Sequence, residues 1–454
     1  MSNVVLVTVD SLRADHLAGY GYHRETAPFV ETLADRGVSF DAYANANATR
    51  ASFPSIITSS YPLEHGGFDY LSDSRVTVGE ALPDHHTAAF HSNLWLSRDY
   101  NYDRGFDTFY DSKSEPSPLA RLRTWLKLNL NQDGLVYRTL QTLYDTTEEK
   151  AGMDIGQTYK DAAVITDRAI EWLESSVEAG NESFLWVHYM DVHHPYVPRP
   201  EALSELGIDL AISENEAIKL RRKMLETPEA VTDDEVQTLV DLYDGEIRYM
   251  DHHIRRLCEA VEDAWGLNDT AVVFTADHGE EFKEHGKFSH NDSMYDEVIH
   301  VPFIVEGADR VGVSDISGRQ AEQVELLDTA PTICHLAGVD APEAYRGRSV
   351  LDRAGTGEHA RVFSETTSGD DAKVALRTHE HKYIWDRPSD ERELYDLAAD
   401  PGETENIVGE EPTEELHDEV AAHLAEIRET NEELPEVGMD VETEQRLRNL
   451  GYLD

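Results

Sequence analysis

Apolar residues in this chain gather in short, dense runs separated by longer stretches with helical spacing. The first run is Val4, Val5, Leu6, Val7 and Val9, and it ends abruptly in Asp10. A valine-rich run with no polar alternation predicts a strand buried on both faces, the kind found inside a parallel sheet. Residues 270–276 repeat the pattern and end in Asp277-His278-Gly279-Glu280-Glu281. Further strands are predicted around 38–40, 87–90 and 184–191, and at 301–305, read as the last core strand. Between them the spacing predicts helices. One follows Thr26 as N-cap and stops at Gly37, one starts near Thr49 or Ser52, and others cover 158–179, 235–263 and 327–336. Residues 201–231 are highly charged and read as a surface helical excursion. Residues 116–143 read as a locally basic amphipathic helix that packs on the main body, caps the site, guides an anionic substrate or touches lipid. From about residue 360 the pattern changes to short alternating strands, which suit a small antiparallel sheet, followed by a charged helix and an acidic tail. The order of elements predicts an α/β fold with a mostly parallel central sheet.

Two buried strands that each end in an acid draw attention to their carboxyl ends, where open α/β sheets bind ligands. A bare buried carboxylate is costly unless it is paired or holds a cation. One such Asp is equally explained as the cap of a following helix; two of them, one with His278 attached, point to a shared divalent ion. Thr49 opens a helix after a small polar stretch. A hydroxyl there is either an ordinary N-cap or a nucleophile whose pKa a metal lowers. Residues 188–196 place His188, Asp191, His193 and His194 at another strand end, and 284–290 supply His285, Lys287 and His290.

Composition narrows the partners. The chain has 454 residues, 90 Asp and Glu against 39 Lys and Arg, and a net charge of -51. The acids are spread along the whole length. That distribution predicts a protein adapted to molar salt, where charges are screened over about 3 Å. No basic patch could offset such a field, so nucleic acid is excluded as a partner. With 40% hydrophobic residues a sizeable core is expected. Cys258 and Cys334 give no disulfide framework and no zinc motif. No cleavable signal precedes the first strand and no run is long enough to span a bilayer, so a cytoplasmic location without membrane contact is expected.

Several of these segments together resemble the sulfatase family of the alkaline-phosphatase-like superfamily. They are Asp10-Ser11-Leu12-Arg13-Ala14-Asp15, residues 49–62 ending in Tyr61-Pro62, residues 188–196, Asp277-His278-Gly279-Glu280, residues 393–406 and residues 447–453. The resemblance implies a three-layer α/β/α catalytic domain over residues 1–355 with a helical insert at about 111–150. It also implies a small α+β subdomain with an antiparallel sheet at 356–454. By the same resemblance, Asp10, Asp277 and His278 bind one divalent metal (Ca, Mg, Mn or Zn), and Thr49 is the nucleophile that also touches it. Arg13 lies beside the metal loop. His188, His194, Lys287 and His290 contact the ester oxygens or leaving group, and Asn93 falls where relatives place a Lys and a His. The expected activity is hydrolysis of a small anionic ester, a sulfuric ester or phosphodiester, with a sulfated or phosphorylated glycan as the wider substrate class. The alternatives are transfer of a phospho-linked group to a glycan or lipid, and a non-catalytic family member.

Two departures bear on the chemistry. Relatives carry Asp-Asp where this chain has Asp10-Ser11. The family's Cys or Ser, in a Cys/Ser-x-Pro-x-Arg motif that becomes formylglycine, is replaced by Thr49-Arg50-Ala51-Ser52-Phe53. A formylglycine hydrate can expel sulfate by breaking its own C–O bond, whereas a Thr adduct must be released by water attacking sulfur or phosphorus.

Overall fold

The computed structural model describes residues 3–112, 159–177, 182–266, 269–290, 293–311, 316–366, 373–410 and 412–439. The expected insert at 111–150 and the 447–453 segment lie essentially outside these residues.

Among the described residues the central sheet has eight strands. In chain order they are β1 (Asn3–Val9), β2 (Val38–Tyr43), β3 (His86–Phe90), β4 (Thr108–Tyr110), β5 (Ser183–Tyr189), β6 (Thr270–Ala276), β9 (His300–Glu306) and β10 (Gly318–Glu325); β7 (Glu281–Phe282) and β8 (Phe288–Ser289) form a separate small hairpin. Their order across the sheet is β10-β2-β9-β6-β1-β5-β3-β4. Only β9 runs against the rest. β1 lies between β5 and β6, with Thr8 beside His188 and Val9 beside both Tyr189 and Ala276. Every residue of β5 and β6 is buried, which requires cover on both faces. One group of helices, Pro28–Arg36, Ala162–Ser176 and Asp233–Trp265, packs together. A second, Thr49–Thr58 and Thr329–Ala337, packs on β1 and its neighbours.

The strands β11 (Val362–Glu365), β12 (Lys373–Arg377), β13 (His381–Asp386) and β14 (Glu391–Asp396) form an antiparallel sheet, against which the helix Thr413–Arg428 packs. It meets the central sheet through a backbone bond from Glu365 N–H to the Asn45 carbonyl. Lys382, fully buried, bridges Asp296 of the main body (2.5 Å) and Glu403 (2.7 Å).

The structure corrects three local expectations. The strand at 301–305 is not the last of the central sheet. β10 follows it and pairs with β2 at the edge, where only its second half is buried, so its sequence is too polar to read as core. β4 is another short edge strand that the apolar pattern does not show. Thr26 does not cap the helix Pro28–Arg36, because its Oγ1 donates to the His16 carbonyl and Ala27 takes the cap position. The open N–H groups of Phe29 and Val30 are instead taken by Asp251 of the long helix, at 3.1 and 2.9 Å.

Candidate active site

The register of β1 and β6 brings two acids side by side. Asp10 N–H donates to the Tyr189 carbonyl and Asp277 N–H donates to the Val9 carbonyl, so both residues continue the ladder by one step past the strands. Asp10, Asp277 and His278 then offer ligand atoms that all lie within 4.8 Å of one another, and all three are fully buried. Ser11 sits at φ 59°, in the left-handed region that a non-glycine residue occupies at a cost. That turn aims its N–H at Asp277 Oδ1 (3.1 Å) and its hydroxyl at Asp10 Oδ1 (2.8 Å). The Ser11 hydroxyl thereby orients the Asp10 carboxylate.

Thr49 is the first residue of the helix Thr49–Thr58, and no side chain caps this N-terminus. Its buried hydroxyl donates to Asp10 Oδ2 (3.0 Å) and lies 3.3 Å from His278 Nε2. His278 Nδ1–H donates to the Gly279 carbonyl (2.8 Å), which leaves the Nε2 lone pair facing the carboxylates. Gly279 has no room for a side chain: a Cβ would come within 2.2 Å of the Glu297 carbonyl.

The electrostatics set the two acids apart. Burial alone would raise the Asp10 carboxyl, but His193 and the hydrogen-bonding His188 hold it well below the usual range. Burial and the neighbouring Asp10 charge push Asp277 well above it. Burial and His290 push His278 down to about 3, so its imidazole is neutral, as a metal ligand requires. Asp277 Oδ2 has no hydrogen-bond donor. A buried carboxylate oxygen without a donor beside a second carboxylate and a free imidazole lone pair is a donor set that fits a divalent cation.

The other candidates divide. His188 Nε2 is 3.6 Å from Asp10 Oδ2, and the His290 ring lies 4.3 Å from that of His278. His194 stacks at 6.4 Å from His290 and its Nδ1 accepts from Arg221 Nε (3.1 Å). Among the described residues no hydrogen bond or ion pair joins Arg13 or Lys287 directly to Asp10, Thr49, Asp277 or His278, although Arg13 donates to the Glu280 carbonyl (3.0 Å). The Arg13 guanidinium is held by Asp15 at 2.8 and 2.7 Å and by Glu284 at 2.5 Å. Lys287 is exposed, and its backbone N–H donates to Glu281 Oε1 (2.9 Å). Three residues without an assigned role in the sequence reading stand in the site. Asn93 Nδ2 is 3.3 Å from Asp10 Oδ2. Buried His193 lies 5.7 Å from His290 and helps hold Asp10 ionised. Glu280 accepts from the Tyr196 hydroxyl (3.0 Å) and lies 3.5 Å from His290 Nδ1. The His193-His194 pair and the acid two residues after His278 were the available signals.

A hydroxyl, an imidazole and paired acids at the carboxyl edge of a mostly parallel sheet, under an α/β cover, are the site class of the ester hydrolases. The chain belongs to the sulfatase family, whose profile matches residues 2–339. A second profile, described as N-sulphoglucosamine sulphohydrolase, C-terminal, matches residues 283–430. An arylsulfatase of Clostridium perfringens is 23% identical over 469 residues, covering 95% of each chain. The fold is shared with an enzyme solved in complex with its substrate D-glucosamine-2-N,6-O-disulfate (TM-score 0.68, 17% identity, 94% of this chain and 98% of the other). It is also shared with a phosphonate monoester hydrolase of Agrobacterium radiobacter (TM-score 0.66, 18% identity, 94% and 96%). Among the described residues no helix is long and apolar enough to cross a membrane.

Proposed function

We propose that this sulfatase-family chain is a divalent-metal-dependent hydrolase of sulfate or phosphate esters with Thr49 Oγ1 as its nucleophile. One observation carries the reading: the Thr49 hydroxyl is held between Asp10 and His278, at the start of a helix that no side chain caps. Asp10, Asp277 and His278 would hold the ion, with Thr49 beside it. When bound, the ion polarises the ester oxygens and lowers the pKa of a neighbouring hydroxyl.

The chain's own residues supply the rest. Thr49 Oγ1–H points at Asp10 Oδ2, so the proton has an acceptor as the oxygen attacks sulfur or phosphorus in line. Free N–H groups and the dipole of the Thr49 helix favour an anion at this end. Asn93 Nδ2 donates to the same Asp10 oxygen (3.3 Å). Burial pushes His290 down to about 4 and His194 well below its ordinary value, so both are neutral and each keeps one N–H. In His194, Nδ1 accepts from Arg221, which puts that N–H on Nε2. His290 and His194 each offer that N–H as a hydrogen bond to the ester or leaving-group oxygen, the departing alkoxide takes its proton from solvent, and His188 Nε2 lies 3.6 Å from Asp10 Oδ2.

A Thr adduct has no aldehyde hydrate to collapse, so water releases it by attack at the central atom. That step favours phosphorus, while the arylsulfatase relatives favour sulfate and the disulfated glucosamine bound by one structural neighbour supports a charged glycan as substrate. The spread acidic charge supports work in concentrated salt. Parallel assays of an aryl sulfate, an aryl phosphodiester and a phosphonate monoester in molar KCl test the reading. Turnover of at least one that is lost in Thr49→Ala and after chelation is expected. Full turnover in Thr49→Ala would overturn it.

A further inference from the structure

A second set of ligating side chains lies outside this chemistry. Glu281, His285 and Glu297 each offer one ligand atom, all within 4.8 Å of one another. They come from three places: strand β7, the turn of the β7–β8 hairpin, and the short helix Asp296–Ile299. Glu281 is fully buried. Its Oε1 accepts the N–H groups of Lys287 (2.9 Å) and His285 (3.2 Å), but Oε2 has no donor. A buried carboxylate oxygen left bare is expensive, and structures seldom keep one that meets nothing.

His285 is arranged as a ligand. Its ring stacks on Tyr295 at 3.6 Å, and its Nε2–H donates to the Glu403 carbonyl (3.1 Å). Those two contacts direct Nδ1 at Glu297 Oε1, 2.5 Å away. An imidazole whose far nitrogen donates to a backbone carbonyl is the usual way a metal-bound histidine is oriented. Even with His285 protonated, two carboxylates outnumber it, and burial of Glu281 leaves little water to screen the difference.

We propose that Glu281, His285 and Glu297 hold a second divalent cation of borderline hardness, Mn2+ or Zn2+. Two carboxylate oxygens and one imidazole nitrogen suit these ions better than the all-oxygen shells of Ca2+ and Mg2+. Binding replaces the proton on His285 Nδ1, which passes to solvent. The ion ties the hairpin that carries Lys287 and His290 to the helix whose Glu297 carbonyl packs on Gly279, and through Glu403 to the C-terminal segment. This proposal does not depend on the reaction at Thr49.

The test uses the full chain, stripped with chelator, loaded with Zn2+ or Mn2+ alone, freed of excess ion and analysed for bound metal. Two ions per chain are expected in the wild type, one in Asp277→Asn, one in His285→Ala, and none in the double variant. Glu297→Gln, which keeps the side-chain shape, should also bind one ion and serves if His285→Ala does not fold. An anomalous difference peak between Glu281, His285 and Glu297 would locate the second ion. If only the Asp10 reading is wrong, the wild type binds one ion that is lost in His285→Ala and kept in Asp277→Asn. If His285→Ala and Glu297→Gln bind as many ions as the wild type, the His285–Glu297 contact is an ion pair alone and the proposal is overturned.

Discussion

Asp277→Asn separates what the acid pair does for stability from what it does for function. Asp10 and Asp277 present carboxylate oxygens within 4.8 Å, with both side chains fully buried. At an effective dielectric constant of about 20, two unit charges at that separation repel by roughly 3 kcal/mol. In metal-free protein this cost falls on the fold, as repulsion or as forced protonation of Asp277, whose carboxyl burial and Asp10 already push up. Asparagine keeps the acceptor that takes the N–H groups of Ser11 (3.1 Å) and His278 (2.9 Å), and removes the charge. Metal-free Asp277→Asn should therefore be more stable than metal-free wild type by about 1 to 3 kcal/mol. A divalent ion at a hundred times its Kd should stabilise the wild type by about 2.7 kcal/mol per site. The variant should lose the part of this gain that comes from the Asp10 site, together with activity. Urea unfolding followed by tryptophan fluorescence at fixed KCl, with chelator and with added ion, measures both quantities. A variant less stable than the wild type in chelator, or one that keeps the full ion-dependent gain, would refute the view that these two carboxylates share a cation.

The remaining predictions concern other charges. Lys382→Met strands Glu403 and half of Asp296 in a buried site and should cost about 3 to 5 kcal/mol in the same unfolding assay; a loss below about 1 kcal/mol would show that Arg377, 2.9 Å from Asp296, suffices. In metal-free protein the Glu297 carboxylate outweighs burial and pushes His285 up to about 9. A raised histidine stabilises the fold below its ordinary value near 6.5, and that contribution is lost as pH rises through 9. With solvent screening of this partly exposed pair the loss should be about 1 to 2 kcal/mol, and His285→Ala should flatten this slope in a pH series of unfolding curves. A charge of -51 should make the melting temperature climb steeply between about 0.1 and 2 M KCl, and a melting temperature indifferent to salt would remove the case for high-salt adaptation.

Much of the site was legible because it sits where burial is extreme. β1 and β6 are buried on both faces, so their apolar runs are unbroken and the acids that end them stand out. The mostly parallel sheet followed from the same runs. β10 was hidden for the opposite reason, since an edge strand keeps half its residues in water and reads as polar. Side-chain partnerships across long separations were not readable. Arg13 follows Asp10 by three residues, but Glu284, far along the chain, and Asp15 take its guanidinium. Asn93 reaches Asp10 only because β3 lies next to β5, which lies next to β1. The Glu281, His285 and Glu297 cluster needs a hairpin and a helix to fold together, and no spacing rule announces it.

In the proposed reaction Thr49 Oγ1 attacks the ester and carries the transferred group. Rapid acid quench during turnover of an activated aryl ester, followed by peptide mass spectrometry, tests it most directly. The expected result is one sulfuryl or phosphoryl group on the peptide spanning Thr49, and none in Thr49→Ala, whose turnover falls by at least about a thousandfold. Undiminished turnover in Thr49→Ala, or an adduct on another residue, would contradict it.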